Sequence, residues 1–156
     1  MSIASVTAPL RDARNRMRST LAAISDRIGE LALVPIAERG AAMEQVVADL
    51  DRCLKPHLEW EERTIHPVVD KFACEGPAAF SASMRYEHHI IHRSIGELRA
   101  YAGDATAVVA FSRRADGLLG VVLAHFELEE EVLFPILDRA LDPASRGPAV
   151  VEPPPH

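Results

Sequence analysis

With 156 residues, the chain fits one domain and can bury about two-thirds of its unfolded surface. Hydrophobic residues make up 48% and charged residues 26%, and a formal net charge of −6 argues against nucleic acid or an anionic membrane as partner. Two cysteines, Cys53 and Cys74, are too few for a disulfide framework or a thiolate zinc site. The first residues lack the apolar core of a signal peptide and no apolar run approaches a membrane span, so a cytoplasmic location is expected.

Pro35, Gly40, Gly76-Pro77 and Gly103-Asp104 divide the chain into four long segments. Alanine, leucine, glutamate and arginine dominate them, and each carries an apolar seam stepping by three and four, as helices packed lengthwise do. In the first segment the seam runs Leu10, Arg14, Met17, Leu21, Ile24, Ile28, Leu31. Its four early arginines, Arg11, Arg14, Arg16 and Arg18, read first as one solvated face. The second seam is Met43, Val47, Leu50, Leu54, His57, Glu61, Ile65, Val68, Phe72; the third is Met84, His88, Ile91, Ile95, Leu98, Ala102. The fourth runs Val108, Phe111, Ala115, Leu118, Val122, His125, Glu129, Val132, Ile136. These segments predict an all-α, up-down-up-down antiparallel four-helix bundle over residues 1–141, followed by a disordered proline-rich tail, 142–156.

The stretch from His57 to Asp70 lines up with that from His125 to Asp138: both hold one His, three Glu, Pro and Asp at the same offsets. This is the pattern of a duplicated helical hairpin, and it gives helices 2 and 4 equivalent roles.

Polar residues at seam positions carry the functional signal. They are His57 and Glu61, His88, His125 and Glu129, with Arg14 in the first helix. His92 follows His88 by four residues, about 40° around the helix, and flanks the same face. Three helices thus each present an i, i+4 pair at matching heights in the bundle. Burying two glutamates among four imidazoles is costly unless a cation compensates them, and imidazole nitrogen with carboxylate oxygen suits iron, manganese, cobalt or zinc. The alternative is a buried polar network without metal. Each glutamate can bridge two metals, with histidines at the outer positions. Outside this set, His89 and His66 read as surface residues, with a His89/His92 pair left open. Glu62 and Glu130 read as carboxylates supporting the ligands or as solvated, and Trp60 and Phe126 as packing beside the site. Pro56, Pro67 and Pro135 read as helix curvature, or, for Pro56, as a kink that re-aims His57.

The linked motifs His57-xxx-Glu61-Glu62, Glu87-His88-xxx-His92 and His125-xxx-Glu129-Glu130, with both downstream prolines, resemble the hemerythrin-like (HHE cation-binding) family over about residues 8–141. The resemblance implies a four-helix bundle holding an oxygen-bridged di-iron centre, with His57, Glu61, His88, His92, His125 and Glu129 as metal ligands. It implies binding or sensing of dioxygen, nitric oxide or peroxide. Zinc or manganese, or a single iron, are alternative occupants. The family pattern also has a histidine on the first helix, where this chain has Arg14, which is cationic and has no acceptor. By the family's division of ligands, one iron keeps His88, His92 and His125 and the other only His57 with the shared carboxylates. The second metal position is therefore expected to be weakened, with Arg14 pairing with Glu61 or Glu129, or else turned to solvent. Other roles compatible with the residues are a peroxide-consuming or iron-oxidising enzyme and a metal-stapled interaction module. Signalling would need another chain or a dimer face, which leaves a homodimer open.

Overall fold

The computed structural model describes residues 6–72 and 76–140, so Cys74 and the 142–156 tail lie outside the described residues. The described chain is helical throughout: α1 (Ala8–Glu30), a 3-10 turn (Leu31–Leu33), α2 (Ile36–Phe72), α3 (Gly76–Tyr101), a 3-10 turn (Ala105–Ala107), α4 (Val108–Leu128), a π-helical turn (Glu129–Leu133) and α5 (Phe134–Ala140). α2 packs on α3, α3 on α4, and α1 on both α2 and α4, which closes the four long helices into a bundle.

Pro9 in the first turn of α1 has the φ a helix start needs and no N–H to lose. Thr7 anchors that end: its amide and hydroxyl both donate to the carboxylate of Asp138 on α5, at 2.9 Å each. Asp70, the counterpart of Asp138 in the duplicated stretch, accepts from Arg85 on α3 at 2.5 Å. Both copies thus end on an aspartate that ties neighbouring segments together.

The seam of α1, that of α3 as far as Leu98, and most described positions of those of α2 and α4 are buried as predicted. They form two apolar clusters with a polar layer between them. The larger gathers Met17, Leu21, Ile24, Leu50, Leu54, Ile91, Ile95, Phe111 and Leu118, among others. The smaller holds Leu10, Trp60, Ile65, Val69, Leu133, Phe134 and Leu137. Each fully buried Leu, Ile or Phe contributes about 1.5–3 kcal/mol.

The predicted helix break at Gly40 is not one, since α2 starts at Ile36, directly after Pro35. Gly40 is instead a point of close approach. A Cβ there would stand 2.7 Å from the carbonyl oxygen of Gly103, whose φ of +91° needs a glycine in turn. The two glycines let the first turns of α2 rest against the α3–α4 connection, where Asp104 accepts from the Thr106 amide at 2.9 Å. The atoms that Cβ would meet are all backbone of Gly103, so relief requires shifting the main chain. Gly40→Ala is expected to destabilise the fold by about 1–3 kcal/mol, read as a lower urea midpoint with unchanged helicity at zero denaturant.

Candidate metal centre

Between the two apolar clusters, α1 to α4 and the π-turn all place charged or imidazole groups on the bundle axis. Arg14, His57, Glu61, His88, His125 and Glu129 are each at most 2% exposed. They occupy positions that helical periodicity assigns to the core, so the folding of the apolar seams carries them inward.

Glu61, His88, His125 and Glu129 each contribute one ligand atom to a group whose members all lie within 4.8 Å of one another. His88 Nε2 and His125 Nε2 face each other at 3.0 Å. Glu61 Oε2 lies 3.3 Å from His88 Nε2, and Glu129 Oε1 lies 3.1 Å from His125 Nε2. The outer nitrogens explain this orientation. His125 Nδ1–H donates to Glu87 Oε2 at 2.6 Å, and His88 Nδ1–H donates to Glu62 Oε1 at 3.0 Å. With Nδ1 protonated on both rings, two imidazole lone pairs oppose each other in a buried space, a repulsive arrangement unless a proton or cation lies between them. Glu61 Oε2 and Glu129 Oε1 are buried without a hydrogen-bond partner. Unspent nitrogen and oxygen lone pairs without thiolate fit a non-haem transition metal, and the carboxylate–histidine pairs outside are what such ligands require.

The other two carboxylate oxygens are engaged elsewhere. Arg14 Nη2 donates to Glu61 Oε1 at 2.5 Å and also to Glu129 Oε2. His57 Nε2–H donates to the same Glu61 Oε1 at 2.7 Å. The Arg14 guanidinium lies over the Phe126 ring, 4.0 Å from its centroid. Burial pulls the Arg14 pKa below its ordinary value. Burial alone would raise Glu61, but the charges of Arg14 and His57 outweigh it and hold the carboxyl well below the usual range. Burial would likewise lower His125; the carboxylates of Glu61 and Glu87 outweigh it and raise the ring's pKa above its ordinary value.

The layer brings together five of the six expected ligands: Glu61, His88, His125 and Glu129 in the group, and His57 on Glu61. His92 lies half-buried one turn beyond His88 and outside that four-residue group. His89 is exposed, as expected. Glu62 supports His88, and Glu130 accepts both Arg18 Nη1 at 2.6 Å and Arg18 Nη2 at 3.0 Å.

Three expectations are corrected. The arginines of α1 are not one solvated face: Arg14 is buried, Arg18 pairs with Glu130, and the Arg11 guanidinium stacks 5.1 Å from the Phe134 ring centroid. His66 is fully buried, with its ring 5.1 Å from that of His88. It lies opposite His57 around α2, but α2 is flanked by α1 on one side and α3 on the other, so its buried arc is wider than one seam. The fourth seam fails beyond Glu129: Val132 is 37% exposed while Leu133 and Leu137 are buried. The cause is the π-helical turn, in which the Phe134 amide bonds to the Glu129 carbonyl and one extra residue rotates the remainder of the helix. The support that Glu87 gives His125 is not apparent from the seams. Its signal is its place directly before His88, on the flank of α3 that meets α4.

Removing the Glu87 carboxylate frees the His125 ring to turn, so Glu87→Ala is expected to weaken metal affinity about 10–100-fold with little change in helicity, read by competition with a chelator. Both ring nitrogens of His66 are buried without a partner, and burial, with His88 nearby, pushes its pKa down to about 4. From about pH 6.5 down to about 4 the unfolded chain binds a proton that the folded chain refuses, so stability falls with pH over that window, by roughly 3 kcal/mol. His66→Phe should flatten this part of the urea-midpoint profile of the metal-free protein; an unchanged slope would mean that other groups cause it.

Comparison with curated proteins and with solved structures finds no match. The sequence does match the family described as the hemerythrin HHE cation binding domain, over residues 9–137. That span runs from the first turn of α1 into α5 and takes in Arg14 and every histidine and glutamate of the buried layer; the chain belongs to the hemerythrin HHE cation-binding domain family.

Proposed function

We propose that this chain holds non-haem iron in the buried layer and uses it to bind a small diatomic ligand, dioxygen or nitric oxide, as a carrier or sensor rather than as an enzyme. The observation that carries the reading is the convergence of four lone-pair atoms, Glu61 Oε2, Glu129 Oε1, His88 Nε2 and His125 Nε2, two of which have no hydrogen-bond partner. His92, on the next turn of α3, is proposed as a further ligand, while His57 holds Glu61 in place through its hydrogen bond. A centre with this few protein ligands leaves coordination positions to an exogenous molecule, and iron supplies the reversible binding of such diatomics when bound there.

The protein's own residues do the rest. Glu62 and Glu87 fix the tautomers and aim of His88 and His125. The two apolar clusters on either side exclude water, which limits oxidation and hydrolysis at the centre. Arg14 Nε and Nη1 are buried donors without a protein partner and lie on the guanidinium that already touches both carboxylates, available to a small acceptor. The proposal takes the helices to alternate in direction. Cross-helix pairs in opposite residue order support this: Arg14–Glu61 with Arg27–Asp49, Arg85–Asp70 with Arg99–Asp51, and His125–Glu87 with Arg114–Glu97. Among the described residues no helix is long and apolar enough to cross a membrane.

The test is to load the protein anaerobically with ferrous iron and titrate it with nitric oxide and then, separately, with dioxygen. Saturable optical changes are expected, and His125→Ala should lower iron affinity by more than about 100-fold, beyond the loss typical of a supporting residue. Iron-loaded protein with no spectral response to either gas rejects the carrier or sensor role; steady consumption of hydrogen peroxide would place the chain among enzymes instead.

A further inference from the structure

We infer that Arg14 is a built-in cation that takes the place of a second metal, so that each chain binds one metal ion rather than a pair. The inference rests on the metal-centre reading above and concerns how many ions the layer accepts.

Each of the two axial carboxylates divides its oxygens between two sides. Glu61 Oε2 and Glu129 Oε1 face His88 and His125 and have no hydrogen-bond partner. Glu61 Oε1 and Glu129 Oε2 face α1, and a single atom, Arg14 Nη2, donates to both. A metal bridging the same two oxygens would stand about 2.0–2.2 Å from each. Nη2 already stands 2.5 Å from Glu61 Oε1, so a metal and the guanidinium cannot share that place. His57 adds a second donor to Glu61 Oε1 rather than offering its Nε2 lone pair outward.

The charge balance points the same way. The guanidinium is itself a cation lying against both carboxylates. One divalent ion beside it already outweighs the two buried carboxylates. A second would add further positive charge to a layer whose two buried carboxylates are already outweighed and whose outer carboxylates, Glu62, Glu87 and Glu130, are engaged by His88, His125 and Arg18. Nor is Arg14 free to swing aside. It is 1% exposed and lies on Phe126, while the Thr7–Asp138 bonds and the forked Arg18–Glu130 pair hold α1 on both sides of it.

The experiment is metal stoichiometry by mass spectrometry under non-denaturing conditions, after loading the full chain with ferrous iron, joined to electron paramagnetic resonance of the oxidised sample. The wild type is expected to bind one iron per chain and, oxidised, to show the signal of an isolated high-spin ferric ion. Arg14→His, checked for folding by circular dichroism, is expected to bind two, and the coupled ferric pair should lose that signal. Two irons in the wild type, or a silent coupled pair, overturns the inference and leaves the metal-centre reading standing. A folded Arg14→His that still binds one iron overturns it as well. No iron in the wild type fails the underlying reading and the inference with it. Should Arg14→His not fold, the wild-type count and spectrum decide between one ion and two.

Discussion

A guanidinium buried between two carboxylates is the constraint on which the rest of this structure depends. Removing Arg14, Glu61 and Glu129 from water is expensive, and their mutual attraction offsets that cost only if the contacts are close and the remaining polar atoms find partners. The bundle meets the first condition by pinning α1 at both ends of its polar stretch. It meets the second only in part: the oxygens turned toward His88 and His125 are left without a hydrogen-bond donor. With oxygens satisfied toward α1 and unsatisfied toward His88 and His125, the two carboxylates give the site a direction. The satisfied side resists change, and the unsatisfied side attracts whatever cation has suitable ligand preferences.

The apolar clusters above and below give that direction its strength. They contain most of the large buried apolar side chains of the long helices, and the charged groups lie where these clusters meet. Because the interior is close-packed and poorly polarisable, each charge interacts with its neighbours more strongly than it would at a surface, for attraction and repulsion alike. The outer carboxylates, Glu62, Glu87 and Glu130, are only partly withdrawn from solvent. They hold rings and guanidinium groups in place without adding their full desolvation cost to the core.

Much of this is legible from residue order. Three- and four-residue spacing locates the four helices, and polar residues falling on seam positions identify the buried layer, because burial of a helix face follows its period whatever side chain occupies it. What periodicity cannot convey is any departure from the regular helix. Val132 and Leu133 exchange their expected burial because one turn is π-helical, and no residue type announces that change before Pro135. His66 is buried against expectation because a helix with two neighbours buries more of its circumference than its seam. Gly40 resembles a break because glycine has the same composition signal whether it ends a helix or admits another backbone. Arg14 stands out as an exception on the seam; that one of its nitrogens spans both glutamates is a matter of side-chain reach, which spacing alone does not specify.

The π-helical turn also bears on the duplication. The two copies of the His-to-Asp stretch are alike in sequence, yet α2 runs through Pro67 as one continuous helix while the second copy is divided between α4, the turn and α5. Glu61 therefore sits on a uniform helix and Glu129 at the entrance to a widened one. The two stretches match in their side chains and differ in their backbone. Exchanging the two stretches would preserve nearly every chemical group of the centre and still misalign it, since the register of each copy now belongs to its own location.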